Sequence, residues 1–209
     1  MKDILMLNSR GNFVEARVND VRFQKDFNII DAYDLPSCDL SCYKAIAIPG
    51  LIDQEFLLKE KDLIRRFLDS GKVLVFCGHL FRPWLPGGSN FVPRTINSYQ
   101  DYMVSVHQPH PIFEGVKPDD MTFNKGVAGF FSRGHHPVPA GAEVLLTLPD
   151  GEPIVYIDRY STRGTILVHS GNDLFGYMSP ERNSGRIGPQ LIQWIRDEYK
   201  QLEERGAAL

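Results

Sequence analysis

The sequence predicts an α/β fold, a three-layer arrangement in which a mostly parallel sheet carries helices on both faces. Three observations support this. Val73-Leu74-Val75-Phe76 and Thr165-Ile166-Leu167-Val168 are short, continuous, β-favouring runs, the pattern of strands covered on both sides. Asp53 to Ser70 places Phe56, Leu57, Leu63, Ile64, Phe67 and Leu68 on one stripe, with Lys59, Lys61, Arg65 and Arg66 mostly outside it; this is an amphipathic helix. That helix lies between the apolar runs Tyr43 to Ile48 and Val73 to Phe76. Strand, helix and strand in this order make a βαβ unit with parallel neighbours.

The remaining elements follow in order. Asp3 to Asn8 reads as the first strand and Ser9-Arg10-Gly11-Asn12 as a turn. Phe13, Val14, Val18 and Val21 recur at helical spacing, which predicts a helix from Phe13 to Phe23. Phe27 to Tyr33 is a second strand, and Pro49-Gly50 stops the third. Asp53 is suited to cap the long helix and Gly71 to end it. Strands are expected at Tyr102 to His107 and Val127 to Phe131. Glu143 to Leu148 and Pro153 to Asp158 flank Asp150-Gly151, a hairpin signal, and this hairpin is expected to decorate the sheet. A last helix begins near Pro189, with Leu191, Ile192, Ile195 and Leu202 on its apolar face, and Arg205 to Leu209 reads as a frayed tail. One domain is expected to span residues 1–209.

Composition narrows the function. Of the 209 residues, 43% are hydrophobic and 23% charged, enough apolar surface for a packed core. A net charge of −3 argues against a general nucleic-acid or anionic-membrane binder. The amino-terminal apolar run is too short for a signal peptide, and no stretch has the length of a membrane span. Three cysteines without a secretion signal point to free thiols in a reducing cytoplasm.

Two strand ends carry reactive side chains. Cys77 closes the run Val73 to Phe76, and His169 closes Gly164 to Val168. In open α/β sheets ligands bind at the carboxyl ends of strands, so Cys77 reads either as a nucleophile or as a small buried hydrophobe. His169 reads either as its base or as a histidine that holds the loop Ser170 to Asp173. Arg82, Trp84 and Arg94 follow Cys77 in a Pro- and Gly-rich segment. That segment reads either as a lid binding an anion or a sugar, with Trp84 stacking, or as a loop over a core tryptophan. Arg10 stands at the end of the first strand, on the same rim. Cys38 and Cys42, with His135-His136 or with His107 and His110, offer a weak zinc pattern; no metal and no cofactor is expected.

The layout resembles the class I glutamine amidotransferase-like superfamily, whose fold is flavodoxin-like with a Cys at a nucleophile elbow and a His after a late strand. Val73-Leu74-Val75-Phe76-Cys77 is similar to the strand into the elbow, and Ala47-Ile48-Pro49-Gly50 to the loop that helps form the oxyanion hole. His110-Pro111-Ile112-Phe113-Glu114-Gly115-Val116 and Arg163 to Asp173 look more like the ThuA-like and β-galactosidase-associated branches, which often lack a working triad. The family elbow is Gly-x-Cys-x-Gly; here Val75 and His79 hold the glycine positions. The position of the triad carboxylate is Gly171, with Asp173 two residues further on. The resemblance implies a degenerate elbow in a non-catalytic module, which binds a small molecule or a protein partner at the Cys77 cleft. Its alternative is a Cys–His hydrolase or amidase. In that reading Cys77 is nucleophile, His169 base, Asp173 orienter, and the N–H groups of Gly50 and Gly78 receive the oxyanion. His79, Arg82, Trp84 and Arg10 would line the ligand site. Association as a homodimer is a further expectation from the resemblance.

Overall fold

A computed structural model describes residues 2–207. The side chains of Asn12, Phe13 and Val14 and the tail residues 208–209 lie outside this description. The helix expected from Phe13 therefore rests on its backbone, and the end of the frayed tail falls beyond it. The centre is an eight-stranded sheet. Its strands are β1 (Ile4–Asn8), β2 (Phe27–Asp31), β3 (Ala45–Ile48), β4 (Val73–Cys77), β5 (Ser105–Val106), β6 (Glu143–Thr147), β7 (Pro153–Asp158) and β8 (Thr165–His169). They lie in the order β2-β1-β3-β4-β8-β7-β6-β5. The strands from β2 to β8 in this order pair in parallel. β7, β6 and β5 continue antiparallel. The Asp150-Gly151 hairpin thus does not decorate the sheet; it extends it, with β7 paired directly to β8. Both turn residues have positive φ, 66° and 78°, which the tight primed turn requires.

Both sheet faces are covered, as the unbroken apolar strands demand. One face, with Met6, Val75, Cys77 and Leu167, packs on α6 (Ile187–Ala207) through Leu191, Ile195 and Leu202. The other, with Leu7, Ile48, Phe76 and Val168, packs on α3 (Gln54–Lys59) and α4 (Lys61–Asp69) through Leu57, Ile64 and Leu68. The expected long helix is thus two, broken at Glu60, whose ψ of 10° leaves the helical range. Its start is as expected: the Asp53 side chain accepts from the amides of Glu55 and Phe56. Gly71 ends it with φ 77°. The Phe13 to Phe23 helix is also two, α1 (Asn12–Val18) and α2 (Val21–Gln24), because Asp20 caps a new start on the amide of Arg22. The expected strands at 102–107 and 127–131 shrink to Ser105–Val106 and Val127–Ala128. Between them lies the short α5 (Pro118–Thr122).

Ionic clamps fasten α6 at the amino-terminal ends of the parallel strands. Arg196 donates to Asp3 and Asp26. The buried Glu198 accepts from Arg159 through both oxygens, at 2.7 and 2.9 Å, and from the Thr165 hydroxyl at 2.8 Å. Burial alone would raise the Glu198 pKa; the Arg159 and Thr165 bonds reverse this and hold it below the usual 4.5. A carboxyl with a depressed folded pKa adds stability above its unfolded value, which is lost as pH falls through the folded value. We expect Glu198→Gln to destabilise the fold by roughly 2 kcal/mol at neutral pH. This is less than a fully buried pair costs, because Arg159 keeps Glu143. Urea titrations at a series of pH values should show the difference between wild type and variant shrinking below about pH 4.5.

Candidate functional site

The parallel strands β3, β4 and β8 end side by side, with Cys77 opposite His169 in the register. Above these carboxyl ends lies a cleft of about 1110 Å³, the position that open α/β sheets give to ligands. Its walls include Gly50, Gly78, His79, Gly171 and Asp173, together with Arg17, Leu51, Phe81, Phe130, Phe131, Arg133 and Arg182. A cleft was expected here. Four of the residues singled out from the sequence line it: Gly50, Gly78, His79 and Asp173.

Cys77 and His169 do not line it; they lie beneath its floor. Cys77 is 1% exposed and His169 0%. The segment 129–133 crosses the end of β8, with Ser132 bridged to Gly171. The Phe131 ring sits 4.6 Å from that of His169. Burial pushes the Cys77 thiol well above its ordinary pKa, and the nearby Asp173 carboxylate adds to this. Burial drives the His169 imidazole the other way, to about 3. Neither ring nitrogen of His169 makes a well-formed hydrogen bond, and none joins it to Cys77.

Of the two amides expected to receive an oxyanion, that of Gly78 is already bonded. The Gly78 N–H donates to the His169 carbonyl at 2.9 Å, which carries the β4–β8 ladder one residue past Cys77. The next element after Cys77 is a short strand, Val92–Pro93, so the strand–turn–helix geometry of an elbow does not form. Cys77 itself is not among the residues with positive φ. Gly50 and Gly78 instead press backbone on backbone: a Cβ on Gly78 would lie 2.8 Å from the Gly50 Cα. Asp173 does not orient His169 either. It forms an ion pair with Arg17 from α1 and caps the turn at Leu174 by accepting from the Phe175 amide.

The segment after β4 is held by Gln54, a residue the sequence reading passed over. Gln54 is buried at the first position of α3. Its Nε2 donates to the His79 carbonyl at 2.7 Å, and its Oε1 accepts from the amide of Phe81 at 3.0 Å and the indole of Trp84 at 3.2 Å. Trp84 is therefore core, packed edge-on against Phe76, and not a stacking platform. Its indole N–H finds the partner that a buried tryptophan needs. Arg82 pairs with Glu55 on the surface and stays off the cleft walls. Arg10 likewise turns away, bonding Asp31 at 2.6 Å, while its neighbours Ser9 and Gly11 line the cleft. Arg94 lies elsewhere, clamped by Asp150 and Glu152. His79 stacks on Phe91 at 3.7 Å. Partial burial and the nearby Arg133 lower its pKa. Among the described residues no cluster of three or more His, Cys, Asp or Glu side chains is arranged to hold a metal ion. The thiols of Cys38, Cys42 and Cys77 are free. No helix among the described residues is long and apolar enough to cross a membrane.

No protein-family model matches the chain, and no curated protein does. Solved structures do. The cytoplasmic protein STM3548 from Salmonella typhimurium superposes with a TM-score of 0.58 at 14% identity, over 92% of this chain and 98% of that one. PurLQS from Thermotoga maritima superposes with a TM-score of 0.52 at 14% identity, over 94% and 99%. A glutamine amidotransferase from Thermotoga maritima gives 0.50 at 15% identity, over 96% and 93%. At such identities the likeness concerns architecture alone, and on that basis the chain has a glutamine amidotransferase-like α/β fold.

Proposed function

We propose that this chain is an amidotransferase-like binding module of the cytoplasm, one domain that holds a small molecule in the cleft above Cys77 and does no covalent chemistry on it. One observation carries the reading: the Gly78 N–H, which an oxyanion would need, is bonded to the His169 carbonyl. The protonation states agree. A Cys–His hydrolase needs a thiolate and a base able to take its proton. Here burial keeps the proton on sulfur and leaves the imidazole at about 3, too weakly basic to remove it. A concave, partly apolar cleft with a few polar groups suits a small molecule better than a protein surface. The free thiols fit a reducing compartment.

The thiols offer a direct check. In native protein at mildly alkaline pH, Cys42 is exposed and should alkylate readily. Cys77 should react at least roughly tenfold more slowly, since each unit of raised pKa cuts the thiolate fraction about tenfold. Peptide mass spectrometry after timed iodoacetamide treatment reads both. A Cys77 that outpaces Cys42, and slows in His169→Ala, would restore the hydrolase.

Binding itself is tested by dialysing the protein against a small-molecule extract and measuring what it retains. Asn172 is exposed at the cleft edge and bonds the Phe130 carbonyl, so Asn172→Trp fills the space from the rim. The wild type should enrich at least one compound that N172W, folded by circular dichroism, does not. Identical retention by the two proteins would count against the cleft as the site.

A further inference from the structure

The mouth of the cleft carries three large apolar side chains in solvent. Leu51 is 87% exposed, Phe81 52% and Phe130 42%, and all three line the cleft. Leu51 also has φ 60°, the left-handed region that costs a side chain with a Cβ and that glycine adopts freely. A residue that is strained and exposes a whole isobutyl group gains nothing for the fold. Such positions concentrate where a ligand uses them.

The charged groups of the cleft are unequally partnered. Arg17 is neutralised by Asp173. Arg133 and Arg182 form no ion pair among the described residues: the Arg133 Nε donates to the Gly129 carbonyl at 2.9 Å, and Arg182 bonds the neutral amide of Asn124. The lining holds one carboxylate without a cation partner, Glu181. Two free guanidiniums against one free carboxylate leave the cleft positive in a chain whose net charge is −3. The Gly129 bond folds Arg133 back on the turn that carries Phe130, so cation and ring arise from one short segment.

From this we infer that the cleft's ligand is an amphiphilic organic anion. Its flat apolar body lies against Leu51, Phe81 and Phe130, and its carboxylate or similar oxyanion meets the guanidinium of Arg133. Guanidinium and carboxylate match in geometry and charge. The exposed rings supply the contact area that orients such a body. The inference rests on the binding reading above and adds the chemical class.

A matched pair of probes tests it: 2-naphthoate and its uncharged analogue 2-naphthamide, titrated into the full chain by calorimetry near neutral pH. The acid should bind at least about tenfold more tightly than the amide. Arg133→Gln should bring the two within about twofold of each other. Leu51→Gly should weaken both at least about fivefold while the melting temperature stays level or rises, since glycine relieves the backbone. Equal affinity for acid and amide, or a preference untouched by R133Q, overturns the anionic assignment and leaves binding in the cleft standing. Failure of both probes to bind overturns the amphiphilic assignment as a whole. The extract-retention experiment then decides the binding reading on its own.

Discussion

The close approach of Gly50 to Gly78 sets the shape of everything above the sheet. The Gly50 backbone occupies the space where a side chain on Gly78 would project, and a Cβ on Gly50 would press on the Cys77 carbonyl oxygen at 3.2 Å. Gly78 takes φ 151° there, open to glycine, and its N–H donates to the His169 carbonyl. A buried N–H must be paired, and here the ladder pairs it. In an amidotransferase-like elbow the chain would instead turn sharply into a helix, and that amide would face the substrate. The same fold therefore reaches a different end: the cysteine is sealed in the core and the space above it remains as a cleft.

The ion pairs that stabilise the fold and the cleft lie at opposite ends of the sheet. The ion pairs that fasten α6 gather at the amino-terminal ends of the parallel strands, on Asp3, Asp26, Glu198 and Arg159. The carboxyl-terminal ends carry the features that add little to stability, including the positive φ of Leu51 and Arg10 and the exposed rings of Phe81 and Phe130. This is the division expected when a rigid scaffold presents a site on loops. The Gln54 side chain joins the two regimes. It begins a core helix and holds, by its amide, the loop that forms one wall of the cleft.

Much of the fold was legible because it is written in short-range patterns. The apolar runs of β4 and β8, the cap at Asp53, the stop at Gly71 and the Asp150-Gly151 turn each act within a few residues, and each stands where expected. The place of the cleft was legible for the same reason, since strand ends can be read. The state of the site was not. That His169 is roofed by Phe131, that Asp173 answers to Arg17 and that Gln54 holds the loop after β4 all depend on residues far apart in the chain. Val75 and His79, standing where an elbow has glycines, were the local trace of the altered geometry. Arg133 and Phe130 sit in a stretch of weak periodicity and carried no signal that could single them out.

Hydrogen exchange at one amide bears most directly on this account. If the Gly78 N–H belongs to the β4–β8 ladder, it should exchange as slowly as those of Val75 and Phe76 in the core of β4, through opening of the sheet. Exchange by NMR on labelled protein resolves these amides one by one. A Gly78 amide that exchanges as fast as the exposed loop amides would show a donor open to the cleft, ready for an oxyanion. The closed-elbow account would then be wrong.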